Sequence, residues 1–321
     1  MSKKPIVLVT RKLPQAVESR LQRDYEPRLN TDDRIYTADE LVELSAGADA
    51  IIPCHTEKLS AEVIKRLSDS VRAICSFSVG YDHIDLDAAK DHGIIVTNTP
   101  EVLSDATAEI AMLLMLGAAR RQYEGETQIR TETWPDWSPT AQLGLQVTGK
   151  RLGIIGMGRV GQALARNARG FEMEIHYHNR KRLEPQREQG AIYHETLEDM
   201  LPVSQFLSIH CPATPETHHL INAERIALLP DEAVVVNAAR GALVDDDALI
   251  AALKSGKLFA AGLDVFNSEP NIHPGYKALK NIFLLPHIGS ATRETRDGMG
   301  FRALDNLDAI CAGEEPGDRL A

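Results

Sequence analysis

The sequence predicts an α/β protein built as two doubly wound parallel-sheet domains. Short apolar runs alternate with amphipathic ones along most of the chain, the pattern of parallel strands with helices on both faces. The alternation occurs as two series, interrupted at Asn98-Thr99-Pro100, a candidate hinge. The second series opens on an apolar strand that enters a glycine turn and then a run of good helix formers. At 321 residues the chain is long enough to bury two cores.

In the first series, strands are expected at 6–9, 50–53, 71–77 and 94–97 and helices at 14–23, 37–46, 60–67 and 86–92. Beyond the hinge, Asp105 can cap a long helix running through Arg121, and residues 110–116 are apolar around most of its circumference. Such a helix must be covered on nearly every side, either by a second copy, which predicts a homodimer, or by burial between the two domains. Trp134-Pro135-Asp136-Trp137 follows, with both tryptophans of the chain in a Pro-rich connection; they fold onto their own subunit or reach across the dimer. The second series has strands at 151–155, 173–178, 206–209, 233–236, 259–265 and 282–285. A helix at 245–254 is closed by Gly256, and a last amphipathic helix covers about 292–312.

The glycine turn carries the first chemical signal. In Gly156-Met157-Gly158-Arg159-Val160-Gly161, Gly156 makes the tight turn, Gly158 lets a diphosphate approach the backbone, and Gly161 lets the helix pack on the strand. The N–H groups at the helix start complete a dinucleotide site. A carboxylate at the end of the next strand would select NAD by accepting its ribose 2′-hydroxyl. His178 stands there instead, followed by Asn179, Arg180, Lys181 and Arg182, with no carboxylate before Glu184. The expected cofactor is therefore NADPH in preference to NADH.

Ligands of open parallel sheets bind beyond the carboxyl ends of the strands, so polar residues just after apolar runs are the candidates for catalysis. Three strand ends deliver Arg240 (in Asn237-Ala238-Ala239-Arg240-Gly241), Asp264 and Glu269 (in Asp264-Val265-Phe266-Asn267-Ser268-Glu269-Pro270), and His287 after Pro286. Together they suit reduction of a 2-oxo acid. Arg240 can fork onto the carboxylate and carbonyl oxygen, His287 can donate a proton to that oxygen as hydride arrives, and Glu269 can orient the imidazole.

At these residues the chain resembles the D-isomer-specific 2-hydroxyacid dehydrogenases, and among them most the glyoxylate/hydroxypyruvate reductases. The motifs are Gly-x-Gly-x-x-Gly, Asn-x-x-Arg-Gly, Gly-Leu-Asp-Val-x-x-x-Glu-Pro and Pro-His-Ile-Gly-Ser-Ala-Thr, and the likeness runs from about Val71 onward. It implies a flavodoxin-like substrate-binding domain, 1–99 plus 288–321, and a Rossmann dinucleotide-binding domain, 100–287. It also implies that the backbone of Val79-Gly80 binds the substrate carboxylate alongside Arg240, with His287 and Ser290 also at the substrate. Thr107, Arg159, Val160, Cys211, Pro212, Ala238, Asp264 and Gly289 would line the cofactor together with the glycines, and a tryptophan arm would enter the neighbouring subunit.

The formal charge of −11 argues against general affinity for nucleic acid or anionic membrane. The N-terminal apolar run is too short for a signal segment and the 110–119 window too short to span a bilayer. Scattered Cys54, Cys75, Cys211 and Cys311 fit reduced thiols in the cytoplasm. No metal is expected: His210-Cys211 with His218-His219 offers residue types alone, and Cys54-His55 sits on a strand where neighbours face opposite ways. Competing expectations are a dehydrogenase for a bulkier substrate such as 2-ketogluconate and a non-catalytic, corepressor-like dinucleotide sensor. A 3-phosphoglycerate dehydrogenase is disfavoured because the chain ends soon after its last helix.

Overall fold

The computed structural model describes residues 4–321; Met1, Ser2 and Lys3, part of the N-terminal stretch discussed above, lie outside them. In chain order the elements are β1 (Ile6–Val9), α1 (Gln15–Asp24), β2 (Glu26–Arg28), α2 (Ala38–Leu44), β3 (Ala50–Ile52), α3 (Ala61–Arg66), β4 (Ala73–Cys75), α4 (Leu86–Asp91) and β5 (Ile95–Thr97). Then come α5 (Ser104–Ala119), α6 (Gln122–Arg130), β6 (Arg151–Ile155), α7 (Arg159–Arg169), β7 (Glu174–His178), α8 (Pro185–Glu188), β8 (Ile192–His194), α9 (Leu197–Met200) and β9 (Phe206–Ile209). The chain ends with α10 (Ala223–Leu228), β10 (Ala233–Asn237), α11 (Asp246–Ser255), β11 (Leu258–Leu263), α12 (Pro274–Lys277), β12 (Ile282–Leu284) and α13 (Arg293–Ala312).

These elements form two compact units. The first comprises the described residues up to Leu103 with Ala291–Ala321, and the second is Ser104–Ser290. The boundaries fall three or four residues later than the expected 99/100 and 287/288, for a packing reason. Val102 and Leu103 lie against the first unit's core, whereas Ile288 and Gly289 are tied by their amides to Asp264 in the second.

The first unit is a five-stranded sheet in the order β2-β1-β3-β4-β5 with every pairing parallel, the flavodoxin-like order. One face is filled by Val7, Val9, Ala50 and Ile52 against α1 and α13, the other by Leu8, Ile51 and Ile74 against α2–α4. Residues alternate between the two cores because side chains along a strand alternate faces. The edge strand β2 went unpredicted, since its Glu-Pro-Arg is neither apolar nor β-favouring; Pro27 is tolerated because the strand has a neighbour on one side only.

The second unit is a seven-stranded parallel sheet, β12-β11-β10-β9-β6-β7-β8. Counted from β6, this is the Rossmann order with a seventh strand, and it reverses between β6 and β9. Helix α5 lies on this sheet, closely enough that a Cβ on Gly262 of β11 would come within 2.8 Å of the Leu114 carbonyl. Its buried residues, among them Ala108, Ala111, Leu114 and Met115, join the unit's core with α7. Most of the apolar surface of α5 is thus covered inside its own unit, while Leu113 is left 44% exposed. Asp105 is not the cap but a first-turn residue, paired with Arg166 at 2.6 Å.

Other helix ends follow their sequence signals. Asp245 caps α11 by accepting from the Ala248 amide and Gly256 closes it at φ 80°, while Thr292 caps α13 through the Thr295 amide. Trp134 and Trp137 do not fold onto their own chain: they are 56% and 74% exposed, and Ile129 and Leu143 in the flanking sequence are exposed as well. No helix among the described residues is long and apolar enough to cross a membrane.

Candidate active site

The glycine turn follows β6, next to the point where the strand order reverses. Gly156 has φ 93°, and a Cβ there would lie 2.6 Å from the Cys211 nitrogen, so both conformation and space demand glycine. A Cβ on Gly161 would meet the Gly156 carbonyl at 2.4 Å, which is how closely α7 approaches the turn. Gly158 differs: it is exposed, precedes the first residue of α7, and has nothing within 4 Å of its missing Cβ. The turn is therefore packed tightly on the protein side and open at the N-terminus of α7, beside Arg159 and Val160.

The end of β7 holds this turn in place. The Gly156 amide donates to the His178 carbonyl at 3.0 Å, and the Met157 amide donates to Asn179 Oδ1 at 2.7 Å. Asn179, singled out from the sequence as a cofactor residue, thus braces the glycine turn with its side chain. His178 Nδ1 donates to the His194 carbonyl at 3.0 Å. Arg180 and Lys181 are exposed, but Arg182 is drawn away from the three-cation set: it binds Glu188 at 2.7 and 3.0 Å. Arg182 and the Tyr177 hydroxyl, which donates to the same carboxylate at 2.6 Å, hold the Glu188 carboxyl down at about 2.

Past β9, Cys211 is half-buried and Pro212 exposed, and burial pushes the Cys211 thiol up to about 11. His210, whose backbone lies against Gly156, has its Nε2 2.8 Å from the Ser208 hydroxyl, and burial pulls its pKa down to about 4. His218 and His219 stack on each other at 3.9 Å.

The three candidate catalytic side chains come from loops whose backbones are pinned by buried polar groups. Asn237, 1% exposed, accepts from the Ala239 amide at 3.0 Å and donates to the Arg240 carbonyl at 2.8 Å, shaping the loop that carries Ala238 and Arg240. Gly241 presses on the next loop: a Cβ there would lie 2.0 Å from the Phe266 carbonyl carbon. The glycine after Arg240 thus sets how near the arginine loop comes to the glutamate loop. Glu269 accepts from the Phe266 amide through Oε1 at 2.8 Å and binds His287 Nδ1 through Oε2 at 2.7 Å.

His287 sits at φ 54°, an uncommon conformation for a residue with a side chain. Asp264, completely buried, holds that turn. Its main-chain carbonyl accepts from the His287 amide at 2.8 Å, and its carboxylate oxygens accept from the Ile288 and Gly289 amides at 2.8 and 2.7 Å. Burial raises the Asp264 pKa, while the two amides favour the ionised form. Thr107, buried on the first turns of α5, lies against Gly289, and Ser290 follows at the end of the unit. Asn237 and the bracing role of Asp264 were missed in the sequence: an Asn at a strand end that bonds to backbone just ahead is a recognised turn signal, whereas Asp264 reaches amides 24 and 25 residues further on, which no local pattern reports.

Val79 and Gly80 lie beyond β4 in the first unit. The Val79 carbonyl accepts from Asn98 at 2.8 Å, and the Gly80 carbonyl accepts from the Ser78 hydroxyl at 2.7 Å. Because a trans peptide points its N–H opposite its C=O, the Gly80 amide is directed away from Asn98. Cys54, the member of the discarded Cys-His pair, has its thiol pushed up to about 12 by burial, far from a nucleophile's range.

Known proteins resemble this chain over nearly its whole length. Residues 112–289 match the family model described as D-isomer specific 2-hydroxyacid dehydrogenase, NAD binding domain. The chain is 46% identical over 323 residues to glycerate dehydrogenase of Hyphomicrobium methylovorum, with both chains covered in full. It is 42% identical over 318 residues to glyoxylate reductase of Thermococcus litoralis, covering 98% of this chain and 96% of that one. Among solved structures it is similar to an NADPH-dependent glyoxylate/hydroxypyruvate reductase of Sinorhizobium meliloti in complex with NADP and malonate. That likeness has a TM-score of 0.87 and 33% identity, and covers 99% of this chain and 97% of that one.

The depressed His210 pKa has a consequence for stability. Between its folded value of about 4 and an unfolded value near 6.5, the unfolded chain binds more protons at this site, so acidification favours unfolding. Stability contributed by the neutral imidazole is full above about pH 6.5 and declines as pH falls toward 4, by on the order of 1–3 kcal/mol. Urea unfolding of the parent and of His210→Gln at several pH values should show a shallower acid slope in the variant between pH 6.5 and 5; equal slopes would contradict the assignment.

Proposed function

The chain belongs to the D-isomer specific 2-hydroxyacid dehydrogenases, and from that premise we propose that it reduces glyoxylate and hydroxypyruvate, using NADPH in preference to NADH. The observation that carries the reading is the His287–Glu269 pair at 2.7 Å on the same unit as Arg240 and the open glycine turn. The activities by which these relatives are named support a short substrate, since dehydrogenation of glycerate at its 2-hydroxyl yields hydroxypyruvate. In this reading the unit Ser104–Ser290 binds the dinucleotide and the other binds substrate.

A bound reduced nicotinamide supplies the hydride to the carbonyl carbon. Arg240 holds the substrate carboxylate and carbonyl oxygen with its planar fork, polarising the carbonyl, and the resemblance adds the Val79-Gly80 backbone as a further carboxylate contact. With Nδ1 engaged by Glu269, His287 uses Nε2 to deliver a proton to the oxygen as its negative charge develops. Glu269 fixes the ring's orientation and stabilises the imidazolium before transfer. Thr107, Ala238, Asp264 and Gly289 shape the nicotinamide side, and Cys211-Pro212 the adenosine side.

NADPH preference is supported by the loop after β7, where Arg180 and Lys181 are exposed and the intervening sequence offers no carboxylate to repel a 2′-phosphate. A homodimer is supported by exposed Trp134, Trp137, Ile129 and Leu143, which a second copy would cover.

Purified protein supplied with glyoxylate or hydroxypyruvate should oxidise NADPH, and His287→Ala should lower kcat by about 10²–10⁴. Because the histidine must be protonated to reduce and neutral to oxidise, the reductive rate should fall at alkaline pH while the oxidative rate rises; parallel profiles would remove it from proton transfer. Arg180→Ala should lower kcat/KM with NADPH by roughly 10–100-fold, the worth of a charge-assisted contact, and leave NADH nearly unchanged. Equal losses with both cofactors would show that the loop does not sense the 2′-phosphate. Light scattering on a sizing column should give twice the chain mass, and Trp137→Asp should shift it toward the monomer; a monomeric parent would end the dimer reading.

A further inference from the structure

Helix α7 carries Gln162, Arg166 and Arg169 at spacings of four and three, which places them on one face. Arg187 and Gln189, in and just after α8, close over that face and leave a recess lined with three guanidinium groups and no carboxylate. The charge of Arg166 is balanced from outside by Asp105 at 2.6 Å. The other two bond to neutral acceptors: Arg169 to the Glu188 carbonyl at 2.9 Å and to Gln189 Oε1 at 3.4 Å, and Arg187 to Gln162 Oε1 at 3.3 Å. The Glu188 carboxylate, on the same short helix, is already taken by Arg182 and Tyr177.

Like charges gathered at one recess repel, and the half-buried Arg169 has also lost part of its hydration; burial alone pushes its pKa below the ordinary arginine value. The arrangement stands out in a chain of net charge −11. Each guanidinium has five N–H donors, and the bonds above use one or two of them on each arginine.

We propose that the α7/α8 recess is a binding site for a small phosphate-class oxyanion, held by Arg169 and Arg187 with Arg166 beside them, and separate from the dinucleotide site. The separation follows from helix geometry. The recess runs from Met157 and Gln162, the latter donating to the Gly158 carbonyl at 2.9 Å, to Arg169, which lies eleven residues beyond Gly158, about 16 Å along the α7 axis at 1.5 Å per residue; its arginine end is thus remote from the helix start, where the dinucleotide's phosphates belong. An oxyanion here would bridge α7 to α8, at the far end of the loop that contains Arg180 and Lys181.

The test is titration of the full-length protein with inorganic phosphate at constant ionic strength, followed by calorimetry and by the rise in Tm relative to chloride. Saturable binding is expected, weakened about tenfold or more in Arg169→Gln and in Arg187→Gln, with kcat and KM for NADPH and glyoxylate unchanged. Should Arg169→Gln fold poorly, the exposed Arg187→Gln carries the comparison. Saturating NADP+ or NAD+ should leave phosphate affinity unaltered. Absence of saturable binding, undiminished binding in Arg187→Gln, or expulsion of phosphate by NADP+ but not NAD+ would overturn the proposal; the last result would make the recess the 2′-phosphate's own subsite.

Discussion

The second unit's chemistry depends on one buried anion. Asp264 directly follows β11, a strand of apolar residues and glycine, and it is held without exposure to water by two backbone amides from the segment it organises. Burial of a carboxylate is unfavourable, and the amides of Ile288 and Gly289 offset that cost because charge-assisted bonds strengthen in a low dielectric. Through this grip, and through its main-chain carbonyl, Asp264 holds His287 in a left-handed turn that the chain would not otherwise favour. The imidazole then meets Glu269 from a fixed direction. A loop with a merely exposed histidine could visit that geometry; one tied at three consecutive amides is kept there.

The same economy shapes the other loops at this edge of the sheet. Asn237 is the last residue of β10 and Asn179 the first after β7, and each uses its side chain on main chain of the adjoining loops. The glycines supply the complementary half of the construction. Gly156, Gly161 and Gly241 mark places where backbone meets backbone so closely that a Cβ would have no room, and Gly158 marks the place where nothing presses from the protein side. Polar groups thus fix the shape of each loop and missing side chains fix its closeness to the next.

Much of this was legible in advance because periodicity and turn chemistry report local physics. Apolar runs gave every central strand, and the strand-glycine-helix order located the turn that the structure shows packed on one side and open on the other. What escaped has identifiable causes. The edge strands β2 and β8 lack a two-sided apolar requirement, so their residues carry little strand signal. Helix α6 buries none of its residues and has no core-facing stripe to detect. The cover over α5 comes from β10, β11 and α7, distant in sequence, and apolarity alone could not say which surface would supply it. Arg182 looked like a third cation for the cofactor because its partner, Glu188, becomes its neighbour only when the chain turns into α8.

That last diversion sharpens the electrostatics of the loop after β7. If all three cations faced a ligand, their repulsion would be large and their reading of charge coarse. With Arg182 neutralised by Glu188, which the Tyr177 hydroxyl also holds, the loop keeps two exposed cations on a braced base, and Asn179 ties that base to the glycine turn. Long solvated side chains contribute little to folding but respond strongly to a divalent group placed between them. Selectivity for a phosphorylated ribose can therefore be acquired at this position with little effect on the fold, because the residues that brace the turn and those that face solvent are different ones.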